Sequence, residues 1–197
     1  MRLLSATRLV VGFEYESDAR RFWGALRSRL EEFALSLHPD KTRLIAFGRH
    51  AADRRARAGL GKPETFKFLG FVFYCGKSRH GKFQVHRKCR RDRMRAKLAE
   101  VKKDLRERMH QPIPEQGRWL GQVVRGYFAY HAVPTNRASI TAFYRYVVRL
   151  WHRTLRRRSQ TDRFPWERMP RLADDWLPQP RNFHPWPNAR FAVKHSR

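Results

Sequence analysis

The sequence predicts an α+β fold: a small antiparallel remnant with one helix and a β-hairpin, then a three-helix bundle, then an irregular tail rich in proline and tryptophan. Three observations predict it. Short β-branched and aromatic runs alternate with turn residues as far as residue 88, apolar residues then recur at steps of three and four, and beyond residue 160 prolines interrupt every helical pattern. These changes divide the chain into units at 1–88, 89–160 and 161–197.

Leu9 to Tyr15 reads as a strand that leads into a helix cap at Ser17-Asp18. Phe22, Trp23, Leu26, Leu30, Phe33, Ala34 and Leu37 then form one apolar stripe, so a helix is expected to run until just before Pro39. A second strand, Thr42 to Phe47, follows. Gly48 to Pro63, with Arg54, Arg55, Arg57, Gly59, Gly61 and Lys62, has the composition of a mobile basic loop. Phe66 to Tyr74 and Lys82 to His86 flank a Gly/Ser/basic turn and read as a β-hairpin. Met94, Leu98, Val101, Leu105 and Met109 mark the first bundle helix, which Pro112 and Pro114 terminate. Trp119, Leu120, Val123, Val124, Tyr127 and Phe128 mark the second. Ile140, Phe143, Tyr144, Val147, Val148, Trp151 and Leu155 mark the third, and short connections make the three a bundle. The tail, with Trp166, Trp176 and Trp186 among its prolines, is expected to wrap the bundle in extended form.

Lys and Arg number 44 against 17 Asp and Glu, a formal charge of +27, which directs attention to a polyanionic partner. A 41% hydrophobic and 13% aromatic content separates the chain from disordered basic tails. Cys75 and Cys89 are the only cysteines and form no Cys-x-x-Cys unit, so neither a disulfide framework nor a zinc finger is encoded, and a cytoplasmic location is expected. No window approaches about 18 consecutive apolar residues, so no membrane partner is expected.

Charge is concentrated in two places. From Arg87 to Arg108 there are eleven basic residues and four acids, and a single cationic helical ridge is expected from Arg87, Lys88, Arg90, Arg91, Arg93, Arg95, Lys97 and Lys102. Arg145, Arg149, Arg153, Arg156 and Arg157 recur at steps of about four on the third helix and make a second stripe. Arginine forks bridge phosphate oxygens and stack on unpaired bases, and Tyr127, Tyr130, Tyr144 and Tyr146 offer further aromatic faces.

Three segments in this order carry a resemblance: Leu37-His38-Pro39-Asp40-Lys41-Thr42, then Phe66-Lys67-Phe68-Leu69-Gly70-Phe71, then Gly126-Tyr127-Phe128-Ala129-Tyr130-His131 with Phe143-Tyr144-Arg145-Tyr146 and Leu150-Trp151-His152-Arg153. Together they resemble the palm-to-thumb end of group II intron reverse transcriptases and maturases, from Val10 to the C-terminus. The resemblance implies a primer-grip hairpin at Phe66, Lys67, Phe68, Leu69 and Gly70, a lysine near incoming triphosphate at Lys41, and a thumb of the maturase-specific kind, domain X. It implies RNA as partner, above all group II intron RNA, with a role in assisting splicing.

One departure bears on activity. Where the family carries Tyr-Ala-Asp-Asp, this chain has Ser5-Ala6-Thr7-Arg8, which contain no carboxylate to hold catalytic magnesium. The resemblance therefore implies no polymerase activity for the chain alone and no cofactor, magnesium entering only if another chain supplies the missing palm. Two alternatives stand beside the maturase reading: the thumb-bearing part of a split RNA-directed DNA polymerase, joined to an upstream reverse-transcriptase fragment, and a degenerate remnant without function. Glu14 and Glu16 read as a solvated strand edge, Asp174-Asp175 as a surface acid pair, and His38, His131 and His152 as structural histidines without a nucleophile.

Overall fold

The computed structural model describes residues 9–158 and 164–190. Helices and a three-stranded antiparallel sheet make up the described chain. In order they are α1 (Glu16–Glu31), α2 (Ala51–Arg57), β1 (Phe66–Phe68), β2 (Phe71–Lys77), β3 (Phe83–Cys89), α3 (Arg91–Glu107), α4 (Ile113–His131), α5 (Arg137–Leu155), α6 (Met169–Trp176) and α7 (Pro187–Arg190). None of the described helices is long and apolar enough to cross a membrane.

The N-terminal strands are a correction. Leu9–Tyr15 and Thr42–Phe47 form no strand, because a strand needs a neighbour to complete its ladder and none of the described residues pairs with either segment. Leu9, Val10, Val11, Tyr15, Phe33, Leu35 and Leu44 are exposed as a result. α1 forms where its apolar stripe lies, but Tyr15 occupies the cap position in place of Ser17-Asp18, and no side chain caps it. It also stops early. Ala34 adopts φ 55°, and the Leu35 amide donates to Leu30 O at 2.9 Å, so a left-handed residue ends the helix well before Pro39.

The loop at 48–63 is better ordered than its composition suggests. It contains α2, and the Arg55 guanidinium folds back to donate to Leu60 O at 2.8 Å and Lys62 O at 2.9 Å. The run from Phe66 to Tyr74 is not one strand either. Leu69 and Gly70 take φ 44° and 77°, a pair of positive angles that closes a tight two-residue turn and makes the sheet a meander in the order β1-β2-β3. Phe66 pairs with Phe73 across it, and their rings stack at 4.9 Å.

α3, α4 and α5 lie where the apolar steps put them, and each buries its stripe. Pro112 and Pro114 open α4 instead of ending α3, since the first turn of a helix needs no backbone donor. A single cluster joins Phe71 and Cys89 of the sheet to Val101, Leu105, Leu120, Phe128, Phe143 and Trp151 of the bundle. α6 belongs to it as well, through Met169 and Ala173.

α6 corrects the expectation of an extended tail. Pro170 falls in its first turn, where proline is tolerated, and the helix lies against a glycine seat on α4. A Cβ on Gly117 would come within 2.5 Å of the Trp176 ring, and one on Gly121 within 2.6 Å of Trp176 O. Only glycine permits that approach. Of the three tail tryptophans Trp176 alone is an anchor, for Trp166 and Trp186 are exposed.

Candidate nucleic-acid interface

Packing of α3 on α5 defines the site. On α3, Met94, Leu98, Val101 and Leu105 face inward, so helical periodicity puts Arg91, Arg95, Lys102 and Arg106 along the edge beside α5. Glu100, Asp104 and Glu107 fall on the other side, and there Lys97 meets Glu100 at 2.7 Å and Lys103 meets Glu107 at 4.0 Å. Charge on α3 is therefore largely sorted: the edge toward α5 carries cations, Glu100, Asp104 and Glu107 sit away from it, and Asp92, near that edge in the first turn, is bonded to Arg90.

On α5 the buried residues Ile140, Phe143, Val147, Val148, Trp151 and Leu155 fix the inward face. Arg145, Arg149 and Arg153 consequently project from the opposite side, exposed, with Arg156 and Arg157 just past the helix end. Two recesses open there. A groove of about 260 Å³ lies between the helices, lined by Leu98, Ala99, Lys102, Tyr146, Arg149, Leu150 and Arg153. A shallower one of about 380 Å³ is lined by Arg149, His152, Arg153, Arg156 and Trp166. Arg149 and Arg153 form the ridge shared by both.

Arg87 to Arg108 is not one helical ridge. Arg87 and Lys88 lie on β3, and α3 begins only at Arg91. Arg87 faces the bundle: its guanidinium reaches Pro134 O at 3.4 Å, and burial pushes its pKa down. The Lys88 ammonium sits over the Tyr74 ring at 5.2 Å. Arg90 bonds Asp92 at 2.6 Å, and that hydrogen bond draws the Asp92 carboxyl below its ordinary range. Arg93 projects on the side of α3 away from α5. Lys41, exposed, ends a 3₁₀ turn at Pro39–Lys41, remote in sequence from the groove.

The hairpin residues have a partly structural task. Phe66 and Phe68 are half-buried and Lys67 is exposed on β1, while Leu69 and Gly70 make the tight turn. Tyr130 donates its hydroxyl to Leu69 O at 2.8 Å, and the Arg90 amide donates to Gly70 O at 3.0 Å. The turn is thus braced against α4 and the start of α3.

Sequence reasoning missed a cluster at the join of sheet and bundle. Cys89 Sγ lies 3.4 Å from His131 Nδ1 and accepts from Asn136 Nδ2 at 3.0 Å, while Asn136 Oδ1 accepts the Cys89 amide at 3.0 Å. Cysteine, histidine and asparagine are the groups of a nucleophilic triad, yet Cys89 and Asn136 are buried and neither recess reaches them. They act as a fastening. Thr135 Oγ1 accepts the Arg87 amide at 2.8 Å, so two side chains satisfy alternate donors along the free edge of β3. Asparagine ahead of a helical stripe was the available signal, since it is a favoured cap residue. Tyr127 stacks on Phe143 with centroids 3.6 Å apart, and burial, reinforced by Cys89, drives its phenol pKa upward.

His131 gives this join a pH dependence. Burial lowers its pKa from the ordinary 6.5, so the unfolded chain takes up a proton that the folded chain resists. The contribution is fully present above 6.5 and is lost as pH falls through that value toward the lower folded one. Urea unfolding at acidic and neutral pH is expected to show weaker stability in acid, and His131→Gln is expected to remove part of the difference. An identical pH difference in the variant contradicts the assignment.

Among the described residues no acids are gathered in the manner that a pair of magnesium ions needs. Ser5, Ala6, Thr7 and Arg8 lie outside the described residues and bring no carboxylate. Glu16 is bonded to Arg20 at 2.6 Å, Asp174 and Asp175 stand exposed on α6, and no three His, Cys, Asp or Glu side chains gather among the described residues. The chain matches no family model, no curated protein and no solved structure.

Proposed function

We propose that this chain is an RNA-binding module of maturase type, the palm-to-thumb end of a group II intron reverse transcriptase, which holds intron RNA in the α3/α5 groove and assists its splicing without polymerase aspartates of its own. The observation that carries this reading is the sorting of charge: Lys102, Arg149 and Arg153 converge on one groove, with Arg91, Arg95, Arg145 and Arg156 along its margins. A phosphate backbone laid there meets about six to eight cations. The logarithm of the binding constant is then expected to fall against log salt with a slope of about −4 to −6. Mobility shifts of the full chain with group II intron RNA and with random RNA of equal length test it. Tighter binding of the intron RNA with that slope is expected; equal affinity for both reduces the function to generic polyanion binding.

The exposed apolar side chains of residues 9–44 favour a second reading, in which another polypeptide carrying fingers and aspartates covers them and this chain serves as its thumb. Primer extension by such a partner, with and without this chain, distinguishes the two readings.

A further inference from the structure

We infer that the recess between α5 and Trp166 is a subsite for one unpaired nucleotide of the bound RNA, its base stacked on the Trp166 indole and its flanking phosphates on Arg149 and Arg153. This rests on the RNA-binding reading and adds to it a preference for an unpaired residue at one position.

Four observations converge on the subsite. Trp166 is 46% exposed, although the chain has a core in which Trp151 is wholly buried. The indole is nonetheless held. The His152 ring meets it edgewise at 5.0 Å and 81°, and His152 Nε2 is itself tied to Phe164 O at 3.1 Å. A fixed, half-open aromatic face is what a base needs as a platform, because stacking on a side chain already positioned loses little conformational entropy.

The cations stand at the right spacing. Arg149, Arg153 and Arg156 follow one another along one side of α5 and line the recess together with His152 and Trp166. Arg149 and Arg153 also line the interhelical groove, so an RNA backbone in the groove crosses the same two guanidiniums that border the tryptophan. The two spaces then divide the work: the groove follows phosphates and the recess takes a base.

Chemistry favours an unpaired residue over a duplex. In an A-form helix the bases are stacked on one another and offer the protein only their edges beside sugars and phosphates, so an exposed indole finds no π face to stack on. A bulged or looped residue turns its π face outward, and every base has one, which makes the subsite selective for the unpaired state and tolerant of base identity.

The test uses the full chain and two RNA hairpins, one fully paired and one with a single bulged 2-aminopurine. The bulged hairpin is expected to bind roughly tenfold tighter, with quenching of the 2-aminopurine fluorescence as it stacks. Trp166→Ala is expected to abolish the quenching and to weaken binding of the bulged hairpin about tenfold more than that of the paired one, so that the preference is lost. Trp166→Phe should retain most of the preference, and an unchanged melting curve for both variants shows that the fold is intact. Tight binding of both hairpins with no bulge preference overturns the subsite alone. An equal loss for both hairpins in Trp166→Ala does the same, and binding of neither hairpin overturns the RNA reading together with the subsite.

Discussion

Gln116→Ala is expected to lower the unfolding free energy by about 3 kcal/mol, the largest stability loss foreseen for a single polar side chain here. Gln116 is fully buried in α4 and uses both ends of its amide. The two Nε2 hydrogens are shared among Arg108 O, Met109 O and Gln111 O at 3.0 to 3.2 Å, and Oε1 accepts the Trp151 indole N–H at 3.0 Å. Alanine strands the buried indole donor and three carbonyls and leaves a cavity beside the largest side chain of the core. For a chain of this size the loss corresponds to a fall in Tm of about 6–12 °C. Gln116→Leu keeps most of the volume and removes only the hydrogen bonds, so the two variants separate cavity from orphaned polar groups. Urea denaturation measures both, and a loss under about 1 kcal/mol for alanine rejects the account.

The same amide bears on function. It ties the exit of α3, at Arg108 and Met109, to Trp151 near the C-terminal end of α5, and α3 and α5 are the two walls of the basic groove. The Arg108 guanidinium over Trp119 at 4.8 Å adds a second tie between α3 and α4. These polar contacts add to the direct apolar packing of α3 on α5 that forms the groove.

How much of this was legible in the sequence depends on the range of the forces involved. α3, α4 and α5 could be read because burial of an amphipathic stripe imposes its own period, and Leu98, Leu120 and Trp151 keep that period. Val10 and Val11 have the composition of a strand, but composition cannot supply the neighbour that a ladder requires, and among the described residues they have none. Pro170 looked like a helix breaker; its position in the first turn, unknowable without the Gly117 and Gly121 seat, made it a helix starter. The arginines of α5 were found by spacing alone. Trp166 was not, because its part in the recess depends on a chain return that brings residue 166 back beside His152. Spacing puts Arg93 and Arg95 on different sides of α3, but only the packing against α5 shows which of the two sides borders the groove.

That sorting leads to the largest expected effect on binding. Arg149→Glu with Arg153→Glu is expected to weaken RNA binding at low salt by roughly 100-fold and to reduce the salt slope by about two, since two phosphate contacts are lost and two repulsions replace them. Both side chains are exposed and stand opposite the buried face of α5, so the fold should survive the change. The informative control is Arg27→Glu with Arg93→Glu, which changes the net charge equally. Arg27 lies exposed on α1 and Arg93 on the far side of α3, and neither lines a recess. If the chain bound RNA through total charge alone, the two doubles would lose affinity equally, because long-range attraction depends on the sum of charges and not on their arrangement. A groove predicts a large loss for the first pair and a loss within about threefold for the second, screened further as salt rises past about 0.1 M. Filter binding across a salt series reads both quantities at once. Equal slopes for the two doubles would remove the groove from the explanation and leave only an evenly basic surface.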